Sequence, residues 1–336
     1  MSRPHPFDDR GDPTAQTQVR FDGRAILVTG AGRGMGREHA LLLASRGARV
    51  VVADNGAAMD GQQPSARPAE SVVDEIRTTG GEAIACTADI ATEAGSNQAV
   101  ETTVNGFGRI DGILHNASTA PNLASADELS TRDMDLVLRV NAYAGLWLTR
   151  SAWRHMAGQR YGRILYLTSG AGLYGAEGNA PYAAAKSAYL GIMRSLAPEA
   201  ARNGIGINLI SPIALTRMTD RLPPSDYAEW FAQVMRPEKV AVVAAYLMSE
   251  DCRISSEIFH VGGGHISRLT IAESEGFAGS CATIEEVRAA MPGIMVDTRF
   301  FHASNLGESM MRISQELGYR GSIDDNAFAA RAIPES

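Results

Sequence analysis

Thr29-Gly-Ala-Gly-Arg-Gly-Met-Gly36 is the stretch on which the fold turns. It follows a β-branched run, Ala25–Thr29, and leads straight into Gly36–Ser45, rich in alanine and leucine. Glycine accepts positive φ and lets another molecule come close to the main chain. Between a strand and a helix, such a turn offers the free N–H groups and positive dipole end of the helix to a pyrophosphate. The stretch therefore predicts a dinucleotide site with Gly30, Arg33, Gly34, Met35 and Gly36 around the phosphates.

Working outward, the same rhythm repeats. Short apolar runs follow at Val50–Asp54, Ala83–Thr87, Ile110–Asn116, Ile164–Ser169, Ile205–Ser211 and Ile258–Val261. Helix-length segments lie between most of them, at Ser71–Thr79, Met134–Met156 and Ala183–Arg202. Strand alternating with helix predicts an α/β chain of the Rossmann type, a doubly wound, parallel, seven-stranded sheet with helices on both faces. That domain is expected over 21–268. Residues 1–20, polar and rich in Pro, Asp and Gly, read as a flexible arm. Residues 269–336 read as an extension that packs on the domain or on a partner subunit. In it, Thr283-Ile-Glu-Glu286 has the pattern of a helix cap. Asn55–Glu70 is a long, turn-rich loop after the second strand.

Composition excludes several classes. The chain has 336 residues, 45% of them hydrophobic, and a net charge of −7, with no basic run for neutralising phosphates, so nucleic-acid binding is not expected. No apolar run is long enough to span a bilayer, and residues 1–16 lack the apolar core of a signal peptide, so a cytoplasmic protein away from membranes is expected. Cys86, Cys252 and Cys281 share no metal-like spacing, and no metal is expected. Arginine carries nearly all the positive charge, and Lys186 and Lys239 are the only lysines.

Asp54 closes the second strand, where an acid accepts hydrogen bonds from the adenosine ribose hydroxyls and repels a 2′-phosphate; this favours NAD. Arg33, in the glycine turn, could instead attract that phosphate, so NADP stays as the alternative. Tyr182 and Lys186 lie four residues apart, on one face of a helix. A phenol is a poor base near neutrality, and an adjacent ammonium is expected to lower its pKa and let it exchange a proton with an alcohol or carbonyl. Arginine is not equivalent to lysine in such a role. Ser169 is placed at the C-terminal edge of the fifth strand, where ligands bind in open α/β sheets.

Together these residues resemble the short-chain dehydrogenase/reductase family over about residues 22–268. The family's Tyr-x-x-x-Lys is Tyr182-Ala-Ala-Ala-Lys186, its glycine motif is Thr29–Gly36 and its catalytic serine falls on Ser169. The resemblance implies that Asn141, in Arg139-Val-Asn-Ala-Tyr143, anchors a proton-relay water and that Asp89-Ile90 meets the adenine. It implies that Tyr182 and Lys186 also touch the cofactor and that Thr216 meets the carboxamide. Two motifs depart from the pattern. Asn-Asn-Ala-Gly reads His115-Asn116-Ala117-Ser118, keeping Asn116 and Ala117 for the cofactor, and Pro-Gly reads Pro212-Ile213.

A finer likeness, in the Asn55–Glu70 loop, Thr149–Met156, Gly172–Gly175, Thr216–Thr219 and the Thr283 helix, is to the dehydrogenase units of peroxisomal multifunctional enzyme type 2 and related 17β-hydroxysteroid dehydrogenases. It implies a (3R)-3-hydroxyacyl-CoA or other bulky apolar, steroid-like substrate. Arg217 and Arg221 are candidates for CoA phosphates; Tyr174, Met218, Leu222, Trp230 and Phe231 are candidates for an apolar cleft. A chain that binds NAD without chemistry is the reading from another class. Small residues along the Tyr182 helix, with the family's habit of pairing it across a two-fold axis, lead to the expectation of a homodimer or homotetramer.

Overall fold

The strand Ala25–Thr29 (β1) is buried at every residue and pairs in parallel with two neighbours, Arg49–Ala53 (β2) and Gly112–His115 (β4). Its sequence, Ala-Ile-Leu-Val-Thr, has no alternation because both faces are covered. The computed structural model describes residues 18–58, 61–120, 123–216, 225–279, 283–295, 300–303 and 306–320. The other strands of the sheet are Glu82–Cys86 (β3), Gly162–Leu167 (β5), Ile205–Ile213 (β6), Ile258–Gly262 (β7) and His265–Leu269 (β8), in the order β3-β2-β1-β4-β5-β6-β7-β8. The chain order reverses between β1 and β4. Their C-terminal ends therefore flank the crevice in which open α/β sheets bind ligands.

The sheet has eight strands among the described residues, one more than expected. The extra strand, β8, follows Gly263 and Gly264, both at positive φ (62° and 97°). A two-residue turn of that kind joins antiparallel strands, so β8 folds back as a hairpin on a sheet that is otherwise parallel.

Helices Gly34–Ser45 (α1), Arg67–Thr78 (α2), Glu93–Phe107 (α3), Thr131–Leu138 (α4), Ala144–Gln159 (α5), Gly170–Tyr174 (α6), Ala180–Arg202 (α7), Asp226–Val234 (α8) and Pro237–Met248 (α9) complete this unit. The expected single helix over Met134–Met156 is interrupted. Between α4 and α5, Arg139–Tyr143 forms a π-turn in which the Ala144 N–H reaches back to the Arg139 carbonyl. One core cluster joins Ile26, Val28, Val50, Val52, Leu114 and Leu165 of the strands to Leu43 of α1 and Ala244 of α9, all essentially inaccessible to solvent. Each of these valine, leucine and isoleucine side chains contributes roughly 1.5–3 kcal/mol of transfer free energy on burial.

By internal packing the chain divides into two units, the first ending at Arg268 and the second beginning at Leu269. In the second, Glu273–Ser274 (β9) pairs antiparallel with Phe300–Phe301 (β10), and Ile284–Ile294 (α10) and Leu306–Glu316 (α11) are helical. Thr283 caps α10 as its sequence predicts, its Oγ1 accepting from the Glu286 N–H at 3.1 Å. Arg312 of α11 donates to the carbonyls of Ser274 (3.0 Å) and Glu275 (2.9 Å).

Candidate active site

A cleft of about 230 Å³ opens at the C-terminal ends of β1, β2 and β4. Gly30, Arg33, Gly34, Met35, Asp54, Asp89, Ile90, Asn116, Ala117 and Thr216 all line it. Gly36 lies just behind the wall, for a packing reason: a Cβ there would come within 2.0 Å of the Gly30 carbonyl oxygen and 2.6 Å of Asn116 Nδ2. Gly30 has φ +63°, and a Cβ on it would lie 2.6 Å from Ala117 Cα. Asn116 Nδ2 fixes the turn by donating to the carbonyls of Thr29 (3.2 Å) and Gly30 (3.0 Å).

The start of α1 fits an anionic group. Arg33 supplies no side-chain cap, and the first turn holds no acid. By contrast, Thr92 caps α3 and Ser225 caps α8 through their hydroxyls. The first N–H groups of α1 and its positive dipole end thus remain for a bound phosphate, next to the cleft-lining Gly34 and Met35.

Asp54 lies one residue beyond the end of β2. Its Oδ2 accepts from the Gly32 N–H at 2.8 Å and its Oδ1 from the Gly56 N–H at 2.7 Å. Both bonds leave carboxylate lone pairs for ribose hydroxyls. Gly32 was not singled out by the sequence reading, yet a Cβ there would lie 2.8 Å from Asp54 Oδ2 and 2.6 Å from Pro68 Cβ. The loop after Asp54 also has a use that its turn-rich composition did not disclose: Asn55, Ala57, Ala58 and Gly61 form part of the wall.

Ser118, Thr119, Leu136 and Val140 line the cleft on the side of β4 and the π-turn. Tyr182, from the first turn of α7, is buried, and the hydroxyls of Ser169 and Ser118 both favour its phenolate. Burial outweighs them and holds the phenol above its ordinary pKa. This reverses the sequence expectation that Lys186 lowers it. Lys186 is itself almost fully buried, and desolvation brings its ammonium down to about 7. Its Nζ donates to the Leu167 carbonyl at 2.8 Å and lies 5.7 Å from the centre of the Tyr182 ring.

Ser169 does not close β5, which ends at Leu167; it is the N-cap of α6, accepting from the Ala171 N–H at 3.2 Å. Its hydroxyl proton stays available, because that bond uses only a lone pair. Asn141 sits in the π-turn, fully buried, with Nδ2 donating to the Thr119 carbonyl at 2.6 Å. Ile213, where the family pattern has glycine, belongs to β6 and pairs with Gly262. A Cβ on Gly262 would meet the Ile213 carbonyl oxygen at 2.7 Å and Ile213 Cβ at 2.8 Å, so the neighbouring strand makes room for the isoleucine with a glycine. Of the apolar candidates, Phe231 is buried and Tyr174 and Trp230 are exposed. Met218, Leu222, Arg217 and Arg221 lie outside the described residues.

The fold and this cleft define a Rossmann-type oxidoreductase site for a nicotinamide dinucleotide. The chain belongs to the short chain dehydrogenase family, which it matches over residues 24–226. It is 40% identical over 253 residues to a short-chain type dehydrogenase/reductase of Mycobacterium tuberculosis, covering 75% of this chain and 87% of that one. It is 42% identical over 251 residues to peroxisomal multifunctional enzyme type 2 of Mus musculus, covering 75% of this chain but 33% of the mouse enzyme. The structure of full-length peroxisomal multifunctional enzyme type 2 from Drosophila melanogaster superposes with a TM-score of 0.74 at 30% identity, over 89% of this chain and 50% of that one. The chain thus spans about a third to a half of these multifunctional relatives.

Proposed function

We propose that the protein interconverts a secondary alcohol and a ketone with NAD, on a (3R)-3-hydroxyacyl-CoA or a similarly bulky thioester. The observation that carries this reading is the buried pair on one face of α7, Tyr182 with the Lys186 Nζ 5.7 Å from its ring, where the Ser169 and Ser118 hydroxyls pull the phenol's pKa down and Ser118 also lines the dinucleotide cleft. A bound nicotinamide would supply the acceptor or donor of hydride. Tyr182 takes the hydroxyl proton in oxidation and returns it to the carbonyl oxygen in reduction, and Ser169 holds that oxygen. Lys186 sets the charge beneath the tyrosine, titrating near neutrality because of its burial. Asn141 shapes the turn that is assigned to the relay water.

NAD is favoured by Asp54, whose carboxylate two backbone N–H groups hold at the cleft wall. A 2′-phosphate placed there would face a like charge. Arg33 supports the second reading, NADP, since it is exposed and lines the same cleft. The thioester assignment is supported by the likeness to the multifunctional enzymes; the steroid alternative rests on the sequence resemblance alone. Pairing of subunits through α5 and α7 is part of the proposal, supported by the exposed Tyr143 and Leu146 beside Asn141.

The test is a panel of 3-hydroxyacyl-CoAs, 17β-hydroxysteroids and simple alcohols, followed by absorbance of NADH or NADPH. Turnover of the thioesters with NAD is expected. Tight NADH binding with no turnover across the panel would favour a dinucleotide-binding protein without chemistry.

A further inference from the structure

His115 stands at the first position of the Asn-Asn-Ala-Gly pattern, at the C-terminal end of β4. It is fully buried, yet both ring nitrogens have partners. Nε2 lies 3.2 Å from the Val140 carbonyl, and Nδ1 lies 2.8 Å from Thr29 Oγ1. A carbonyl can only accept, so Nε2 carries the proton. In a neutral imidazole Nδ1 is then bare and must accept from the Thr29 hydroxyl. That hydroxyl in turn accepts from the Ala117 N–H at 3.2 Å. Burial and the neighbouring Lys186 keep the ring neutral, its pKa lowered to about 3. The ring edge packs against Tyr189, with centroids 5.9 Å apart.

The two ends of this chain of bonds belong to different parts of the site. Thr29 and Ala117 belong to the wall of the dinucleotide cleft and the glycine turn beside it. Val140 precedes Asn141 in the π-turn. Two residues beyond Ala117, Thr119 is bonded to the Asn141 carboxamide in both directions, its N–H donating to Oδ1 at 3.1 Å and its carbonyl accepting from Nδ2 at 2.6 Å. The segment from His115 to Thr119 is therefore tied to the π-turn at both ends.

We infer that His115 is a positioning residue which, as the Nε2–H tautomer, locks the Asn141 turn in register with the dinucleotide turn. The asparagine of the family pattern could reach only one of these partners. Asparagine places a polar atom where Nδ1 stands but is too short for the Val140 carbonyl; glutamine places its amide nitrogen near Nε2 but has none at Nδ1. The inference as it bears on catalysis rests on the alcohol–ketone reading above, whereas the bonding pattern itself does not.

The two substitutions separate the two ends. With (3R)-3-hydroxybutyryl-CoA as the probe substrate, His115→Asn is expected to keep the NADH dissociation constant. It should lower kcat roughly 10-fold at unchanged KM, the scale of one buried carbonyl left unmatched. His115→Gln is expected to keep kcat within about 3-fold while weakening NADH binding by a similar factor, since each end costs one hydrogen bond. Ring ¹⁵N NMR of histidine-labelled protein, assigned by difference with His115→Gln, should show a neutral Nε2–H imidazole at pH 7. A protonated Nδ1, wild-type kcat in His115→Asn, or equal losses of kcat and NADH binding in both variants would overturn the inference. If the wild type turns over no panel member, the reaction assignment fails, but the NMR and the NADH titrations still judge His115.

Discussion

The carboxamide of Asn141 and the backbone of Thr119 exchange two hydrogen bonds, 2.6 and 3.1 Å long, inside the protein and away from solvent. The side chain proposed for the proton relay is thus engaged in holding the cleft wall, of which Thr119 forms a part. Asn141→Ala removes both bonds. It should destabilise the protein by about 1–3 kcal/mol, the cost of withdrawing a buried partner. Denaturant unfolding of variant and wild type checks the value, and turnover should fall along with it.

Lys186 leads to a prediction with a definite sign. Its folded pKa of about 7 lies below the ordinary 10.5. Between those values the unfolded chain holds a proton that the folded protein lacks, so folding stability rises with pH through that window, by up to about 1.4 kcal/mol per unit. Lys186→Met removes the dependence. The variant should be the more thermally stable protein at and below pH 7. Its advantage should shrink as pH rises and vanish by about pH 10.5, the ordinary value. Melting curves at several pH values test this, while the same variant should lose turnover.

Tyr182→Phe keeps the buried ring but removes the hydroxyl proposed as the acid–base group. Turnover should drop roughly 10²–10⁴-fold, the usual contribution of a positioned proton donor. NADH binding, followed by fluorescence, should persist. Ser169→Ala should act differently. The serine hydroxyl lowers the Tyr182 pKa against the effect of burial, so its loss should move the limb of kcat/KM that rises with pH in the oxidation direction to higher pH.

Glycines in one turn should differ sharply in what they tolerate. Gly34→Ala meets nothing within 4 Å and bears only the strain of φ +53°, about 1–2 kcal/mol. Gly36→Ala drives a methyl into the Gly30 carbonyl and should abolish NADH binding or folding. Gly32→Ala pushes on Asp54 and should weaken NADH while narrowing its preference over NADPH. Asp54→Ala should narrow that preference further, and kcat/KM with both cofactors measures the order.

The strands were legible because their apolar runs are bounded by turn residues, and Tyr182 and Lys186 because their spacing places them on one helix face. What the residues could not disclose was burial. As a pair on a helix, lysine and tyrosine read as an ammonium easing a phenol; on the buried face of α7, both lose solvation and each is pushed toward its neutral form. The π-turn was equally hidden, since Met134–Met156 has the periodicity of one helix and a single extra residue leaves no mark in composition. Gly32 and the Asn55–Ala58 wall were missed because their role depends on how closely β2 and α2 approach the glycine turn. His115 reads as a departure from a motif until its two partners are placed.

The π-turn has a consequence for how this chain can vary. Five residues, Arg139–Tyr143, occupy a stretch that an unbroken helix would fill with one fewer. Deleting any one of them would mend the ladder, and it would also rotate α4 against α5 by about 100°. Asn141 and the Val140 carbonyl would then leave their places beneath the cleft. The most regular version of this helix would therefore lose the contacts that hold His115 and Thr119 in place, and length changes here should be rarer among functional variants than substitutions.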